Sequence, residues 1–569
     1  MQHLSTDLIV VGSGAAGLAA AVTAAHRGLN VVLLEKDTTL GGATAWSGGW
    51  MWVPRNFLAK ADGINEDLAT VRSYLEHELG PRFNAERIDA FLNQAPMMAE
   101  FFHHNTHLQF DHGNGIADIH YQTPGAGVGG RSLIAKPMDG RALGADIAKL
   151  RTTMRETSFW GMPIQAGPDL WAFLNSTRNL KDFTHAALRL TRHGWDMLRY
   201  RRAMQLCNGV ALVGRLAQSA FELGVTCYTD APATQLHRQD GRVTGVQATT
   251  AQGSMNIEAR CGVVLAAGGF PADVSRRQAL FKRTPTGTEH WPLPPASCSG
   301  GGLNIAEAIG AKVDTDVYSA AAWAPVSLVP FADGSTGHFP HIIDRAKPGV
   351  IGVLANGKRF VNEADGYFDY VDAFVQQVPE GQEVCSWLVC SHAFQRRYGL
   401  GITRPFPLPL RHWIKRGYLK AGDTLAELAQ QCGIDAQGLE QTVAEYNQHA
   451  RNGEDPTFGR GNSPYNRKNG DPSHQPNPCV APLEQGPFYA VKVVPGSFGT
   501  FAGLATNGQA QVLDNQGQVI PGLYAAGADM ASIMGGHYPA GGINLGPAMT
   551  FGYIAGNHVA DQTEANREQ

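Results

Sequence analysis

The chain has 569 residues, 43% of them hydrophobic and 17% charged, with a formal net charge of −4. That length exceeds the usual size of one hydrophobic core, so two domains are expected. The composition excludes a disordered or fibrous protein, and the weak charge gives no general reason to bind nucleic acid.

The first segment, DLIVVGSGAAGLAAAVTAAHRGLNVVLLEK, reads as a continuous apolar strand, a glycine turn, an Ala-rich helix and a second strand. Short buried strands separated by a helix indicate a βαβ unit with a parallel sheet. The apolar stretch from Leu8 to Ala25 is nearly long enough for a membrane helix, but its glycines and strand–turn–helix pattern argue against one. Polar and helical sequence follows, from about Glu66 to Phe102. Leu143 to Leu206 is largely helical and rich in Arg. Ala233 to Ala248 resembles a β-hairpin around Asp240-Gly241, and Gly262 to Gly269 is another buried strand ending in glycines. The part from 306 to 490 mixes strands and loops and includes the Pro-rich stretch 455–482. GLYAAGADM and GGINLGPAMTFGYIAG then return to the strand–glycine–helix pattern.

The eight cysteines form no CxxC pair and no metal-ligand spacing. Nothing before Leu8 resembles a signal peptide, so free thiols and a cytoplasmic location are expected, with no metal.

Gly12-Ser13-Gly14-Ala15-Ala16-Gly17 follows a strand and opens a helix. Gly12 suits a tight turn, Gly14 lets a pyrophosphate approach the backbone, and Gly17 allows close packing of helix and strand. Free N–H donors at the helix start would face the phosphates. Glu35 ends the second strand, where an acid accepts hydrogen bonds from ribose hydroxyls. Gly41-Gly42 and Ser47-Gly48-Gly49 come next, where an extended cofactor must run on. Ala266 to Gly269 and Ala525 to Asp529 each end an apolar strand in small residues that leave room for a bulky ligand. Each alone is compatible with an ordinary strand-to-loop turn; together they favour FAD over NAD. The expected cofactor set is Gly12, Gly14, Ala15, Ala16, Gly17, Glu35 and Lys36, then Gly42, Ala43, Thr44, Ser47, Gly48 and Gly49. Ala233, Ala267 and Gly268 join it from the middle of the chain, and Gly527, Ala528, Asn544 and Leu545 from the end.

The fold class expected is α/β: a discontinuous Rossmann-like FAD-binding domain with an inserted α+β catalytic (capping) domain. Its parts would be 1–305, with a helical excursion at about 135–206, then the inserted 306–490, then 491–569.

The motifs GSGAAGLAAA, GGATAWSGG, NGKRFVNEADGY, GLYAAG and MGGHYPAGGINLGPAMTFGYIA resemble those of the 3-ketosteroid Δ1-dehydrogenases, part of a wider group that includes flavoprotein fumarate reductases. The resemblance spans both ends and the middle of the chain. Fumarate reductases carry an Arg where this chain has Asn544, and an Arg proton donor where it has Tyr367. A dicarboxylate needs cationic forks, so Asn544 and Tyr367 in those places imply a site suited to a neutral substrate. GGATAWSGG contains no His for covalent attachment, so FAD is expected to be non-covalent.

By the same resemblance, Tyr538 hydrogen-bonds the substrate carbonyl with the Gly542 N–H as second donor. Tyr367 removes the α-proton, and Tyr121 supports it. The two donors would act as an oxyanion hole, and the base would need a lowered phenol pKa, since free tyrosine titrates at about 10. The β-hydride would pass to flavin N5, with the helix starting near Leu545 facing the flavin. The implied activity is desaturation of a ring ketone, a 3-ketosteroid above all, with a quinone, dye or oxygen as acceptor and no NAD(P). Alternatives are Δ4-(5α) or cyclohexanone-type desaturation, an electron-transfer flavoprotein subunit and a fumarate reductase-like enzyme.

His537 is read either as an orienting or acid group beside Tyr538 or as a structural residue. Trp46, Trp50, Trp52 and Trp323 are read as core packing, with a pocket wall as the alternative. The basic amphipathic stretch 183–206 is expected to show solvent a cationic face and bury its apolar side; the alternative is peripheral contact with an anionic membrane.

Overall fold

The computed structural model describes residues 2–568. Its strands include β1 (Gln2–Val11), β2 (Val31–Leu34), β3 (Thr226–Tyr228) and β4 (Gly253–Leu265), then β5 (Ala321–Pro330), β6 (Ser386–Cys390) and β7 (Phe488–Thr500), with β8 (Val519–Ala525) near the end. The helices that position the site are α1 (Ala15–His26), α2 (Leu180–Tyr200), α3 (Tyr367–Gln377) and α4 (Leu545–Glu568).

The first sheet has a parallel core in the order β8, β4, β1, β2, β3, with the strand Gln511–Leu513 added antiparallel at its β8 edge. Leu8 to Val11 and Val31 to Leu34 are all buried, as strands covered on both faces require. β1 passes through a glycine turn into α1, whose residues Ala15 to Ala25 are buried throughout. Alanines there let α4 cross close by: a Cβ on Gly552 would lie 2.3 Å from the Ala16 carbonyl oxygen. Strand and helix from the two ends of the chain thus complete one nucleotide-binding layer. The 233–239 and 242–250 strands form the expected hairpin, with Asp240 and Gly241 both at positive φ (50° and 82°), the geometry that a two-residue turn favours. β4 begins at Gly253, nine residues before the expected strand, because its first half pairs with this hairpin.

The second sheet is largely antiparallel and built on β7, which pairs with β5 and β6. It also takes in Trp291-Pro292. This sheet therefore extends beyond the expected 306–490 at both ends. A strand shared between two neighbours belongs with them, so 491–500 is part of this sheet rather than of the returning nucleotide-binding segment.

In α2 the cationic residues Lys181, Arg192 and Arg199 face solvent as expected, but the apolar side is not buried. Leu180, Phe183, Leu188, Trp195 and Leu198 are exposed. Polar groups take the inward side: Arg189 pairs with Asp169 and buried Asp196 accepts from Arg141, while exposed Arg192 pairs with Asp139 at the surface. Ion pairs to neighbouring segments of the same chain fix which side of the helix docks. Among the described residues no helix is long and apolar enough to cross a membrane.

Candidate active site

The two sheets meet at a cavity of about 1090 Å³, beyond the ~300–1,000 Å³ usual for one small ligand. Its wall begins at the β1–α1 turn. Gly12 has φ +106°, and a Cβ there would sit 2.2 Å from the Ala266 oxygen; a Cβ on Gly17 would sit 1.9 Å from the Gly12 oxygen. Only glycine allows this turn, and Gly17 serves packing rather than the cavity wall. Gly14 caps α1 without a side-chain acceptor, and the Ala15 N–H donates to Thr44 Oγ1 at 2.9 Å. Glu35 accepts from the Ser13 N–H (3.0 Å), the Ser13 hydroxyl and the Asp37 N–H (2.8 Å), which fixes its carboxylate at the wall.

Every other residue of the expected cofactor set lines this cavity: Gly12, Gly14, Ala15, Ala16, Glu35, Lys36, Gly42, Ala43, Thr44, Ser47, Gly48, Gly49, Ala233, Ala267, Gly268, Gly527, Ala528, Asn544 and Leu545. Asp529 escaped the sequence reading. It is fully buried, with its pKa pushed up to about 6 by burial, and it accepts from the Ala267 and Gly269 N–H groups at 2.6 and 2.8 Å. It ties the two glycine-rich strand ends into one surface. A Cβ on Gly42, Gly301 or Gly541 would project into open space, so the wall is a cradle that side chains would fill. A long dinucleotide such as FAD fits this donor set: a glycine turn, a helix N-terminus, an acid and a second helix start at Leu545.

At the other end of the cavity stand Tyr367 and Tyr538. Tyr367 opens α3, and Tyr538 lies on the loop before α4. That loop is pinned: the Tyr74 hydroxyl and the Ile119 N–H both donate to the Pro539 oxygen (2.7 and 2.9 Å), and the Trp52 N–H donates to the Gly542 oxygen at 3.0 Å. The two phenol rings meet nearly edge to face, 4.9 Å between centroids at 76°. Phe498 packs on Tyr367 and Phe501 on Tyr538. Asn544 Nδ2 donates to the Tyr538 hydroxyl at 3.2 Å. Gly542 has φ +96°, and a Cβ there would lie 2.7 Å from the Trp52 nitrogen. Among the described residues no acceptor takes the Gly542 N–H.

Burial raises Tyr538 above the ordinary phenol value. Burial also raises Tyr367, with the neighbouring Tyr538 and Tyr465 adding to it; Arg345, held by the Glu363 and Asp365 carbonyls, pulls weakly the other way. The expected lowered base is thus not present in the chain by itself, because desolvation outweighs one distant guanidinium.

Tyr121 is not brought to the pair. It is 41% exposed, and its hydroxyl accepts from Gln122 Nε2 at 3.0 Å. The preceding His120 is the inward group: Nδ1 meets Glu78 at 2.6 Å and Nε2 meets Asp369 of α3 at 3.2 Å. Against the cost of burial, these carboxylates raise its pKa to about 10. Tyr465 instead lines the cavity and acts electrostatically on both phenols, its own pKa pushed up to about 12 by burial. His537 stacks on Tyr318 at 4.7 Å and is not on the cavity wall. Of the tryptophans, Trp46 and Trp50 line the cavity, whereas Trp52 and Trp323 are buried core residues.

A glycine turn, two small-residue strand ends and a terminal helix around one long cavity define a dinucleotide-binding oxidoreductase. The chain belongs to the FAD binding domain family, which matches residues 7–545, and is an FAD-dependent oxidoreductase. It is 39% identical over 560 residues to a 4-oxocyclohex-2-ene-1-carboxylate 5-dehydrogenase of Sinomonas cyclohexanicum, covering 98% of this chain and 94% of that one. It is 36% identical over 571 residues to a 3-oxosteroid 1-dehydrogenase of Mycobacterium tuberculosis, covering 98% of each. The solved 3-ketosteroid delta1-dehydrogenase from Sterolibacterium denitrificans, in complex with 1,4-androstadiene-3,17-dione, superposes with a TM-score of 0.89 at 33% identity, covering 98% of this chain and all of that one.

Proposed function

We propose that this enzyme introduces a carbon–carbon double bond α,β to the carbonyl of a ring ketone. The observation that carries this is one wall holding the Tyr538 hydroxyl, the untaken Gly542 N–H and a second phenol, Tyr367. The first two donors would grip the ketone oxygen. Loss of the α-proton puts negative charge on that oxygen, and preorganised donors stabilise it most as the charge develops. Asn544 orients the Tyr538 hydroxyl. Tyr367 would take the proton, and Tyr465 is the nearby phenol that can share it. Phe498 and Phe501 keep water from the reacting carbons. FAD held non-covalently at the glycine cradle would supply a two-electron acceptor for the β-hydrogen and its electron pair. A quinone, dye or oxygen would then accept the electrons.

The relatives' ring ketones, monocyclic and steroid, are the substrate classes to try. Anaerobic mixing with such ketones should bleach the oxidised flavin band and yield the α,β-unsaturated product. If no ring ketone bleaches it while an electron-transfer partner does, the enzyme is an electron carrier and the proposal fails.

We also propose that α2 rests on an anionic lipid surface. Its exposed Phe183, Trp195 and Leu198 offer an apolar face, flanked by exposed Lys181, Arg199 and Arg201, the composition of an interfacial helix. The cavity wall at Leu170 and Trp171 belongs to the helix packed against it, so an apolar ketone could enter from the lipid.

A further inference from the structure

Asp118, Ile119 and His120 follow one another in the chain, and together they touch the backbone beside both phenols. The Ile119 N–H donates to the Pro539 oxygen at 2.9 Å, one residue after Tyr538. Its side chain packs on Gly366, one residue before Tyr367: a Cβ there would lie 3.0 Å from Ile119 Cγ2. His120 Nε2 meets Asp369 at 3.2 Å, in the first turn of the helix that Tyr367 opens. A segment in contact with both supports sets the gap between them.

This segment is itself seated on two sides. One seat is the helix Leu68–Leu79. Its Tyr74 hydroxyl donates to the same Pro539 oxygen at 2.7 Å, and Glu78 meets His120 Nδ1 at 2.6 Å. Residues four apart share a helix face, so one face holds both the grip loop and the segment. A Cβ on Gly125 would lie 2.3 Å from the Thr70 oxygen, which shows how closely the following loop is pressed onto that helix. The other seat is the Asp118 carboxylate, which is buried. It accepts from the Trp52 indole N–H and the Gly127 N–H, both at 2.9 Å, and from Arg131. The backbone N–H of the same Trp52 donates to the Gly542 oxygen at 3.0 Å. Arg131 is also buried; it is closed by Glu66 at 3.0 Å and lies 5.6 Å from the Tyr74 ring centre. The three donors that pin Pro539 and Gly542 therefore all meet at the Asp118–Arg131 pair. A buried ion pair adds little stability over apolar packing of the same volume. Orientation is what this one supplies.

We propose that Asp118 and Tyr74 are positioning residues for the ketone grip: through Trp52, Ile119 and Pro539 they hold the Tyr538 hydroxyl and the Gly542 N–H at a fixed place relative to Tyr367. The proposal rests on the ring-ketone reading above. Neither side chain lines the cavity, so both act through the groups they hold.

A double-mutant cycle with Tyr538→Phe tests it. The quantity read is the rate of anaerobic flavin reduction by a ring ketone per bound flavin, so that unfolded chains do not count. Tyr74→Phe keeps the ring beside Arg131 and removes one of the two donors to Pro539; Asp118→Asn removes the charge that Arg131 and Trp52 meet. Each should slow reduction about tenfold or more, because a small misplacement of a reacting group is costly. Flavin content in Tyr74→Phe should stay near the parent's. A general loosening of the fold would slow every background alike. In Tyr538→Phe the positioned hydroxyl is already gone, so the further loss from either change should shrink to about threefold or less, as coupled sites require. Equal fractional losses in the two backgrounds, or reduction at the parent's rate in Tyr74→Phe, overturn the proposal. If Asp118→Asn does not fold, Tyr74→Phe decides the matter alone. If no ring ketone reduces the parent's flavin, or Tyr538→Phe costs nothing, the ring-ketone reading itself has failed and the positioning proposal falls with it.

Discussion

Tyr367 and Tyr538 face each other edge to face across 4.9 Å, the first opening a helix of the capping sheet's layer and the second on the loop that leads into the terminal helix. Residues 171 positions apart in the chain share one wall only because the second sheet is inserted into the first. Replacing Tyr538 by Phe keeps the ring packing and removes one donor from the proposed ketone grip. Turnover should fall about 10²–10³-fold, the usual cost of one oxyanion donor, with flavin content unchanged. Anaerobic stopped-flow reduction of the flavin measures this. Reduction within a few-fold of the parent's would remove Tyr538 from the chemistry.

The base should make the rate rise with pH. If Tyr367 is the base it acts as a phenolate, and burial holds its pKa above the ordinary value, so the active form would grow throughout the neutral and mildly alkaline range. His120 limits that rise. Its raised pKa, about 10, means that its pairing with Glu78 and Asp369 is at full strength below the ordinary histidine value of about 6.5. The pairing is lost as pH climbs through about 10. Because Asp369 lies in the first turn of the helix that Tyr367 opens, activity should climb from pH 6 to 9 and fall near 10. In His120→Gln the fall should disappear or move. A profile flat from pH 6 to 9 (roughly the span below a free phenol's pKa) would contradict a phenolate base.

Gly541 and Gly542 separate space from strain. A Cβ on Gly541 meets nothing within 4 Å, whereas one on Gly542 meets the Trp52 nitrogen at 2.7 Å in a backbone with φ +96°. Gly542→Ala should therefore lose most turnover and lower Tm, since a non-glycine residue in such a conformation costs about 1–3 kcal/mol before any clash. Gly541→Ala should keep the fold and change only how ligands sit. Thermal melts with flavin fluorescence distinguish them, and equal melting of the two variants would speak against the described loop.

The nucleotide-binding half was legible because its chemistry is local. A strand, three glycines, a helix and Glu35 lie within one run of sequence, and Gly12 and Gly17 answer to backbone contacts that a Cβ would break. The rest of the site comes from distant segments with no motif to announce them. Tyr465 sits in SPYNRKNG, where nothing marks a tyrosine as facing a cavity, and Tyr121 looked suitable by position although His120 takes the inward place. The face of α2 was misjudged for a related reason: amphipathicity gives two sides, and the pairs at Asp169 and Asp196 decide which one docks.

FAD should leave the denatured protein. No histidine occurs in GGATAWSGG, and the cradle at Gly42, Ala43 and Thr44 offers backbone and small side chains. Acid precipitation should leave the yellow flavin in the supernatant. Gly12→Ala, whose Cβ would lie 2.2 Å from the Ala266 oxygen, should yield protein with little or no flavin. Flavin that stays with the acid pellet would show a covalent bond.

The outward apolar face of α2 makes a prediction that its arginines alone do not. If the helix were an ordinary solvated surface, neutralising Arg199 and Arg201 would be the only change to affect binding to anionic vesicles. If it is inserted, Trp195→Ser and Leu198→Ser should weaken co-sedimentation with phosphatidylglycerol vesicles even at high salt, where screening has already removed most of the charge attraction. Both side chains are exposed, 63% and 83%, so neither change empties the core, and flavin reduction by a water-soluble ketone should stay near the parent's rate. Tryptophan fluorescence gives an independent readout: Trp195 should shift to the blue with vesicles in the parent chain, and the shift should shrink in Trp195→Ser. Vesicle binding that is absent in the parent, or untouched by both serine changes, would return α2 to the role of a plain surface helix.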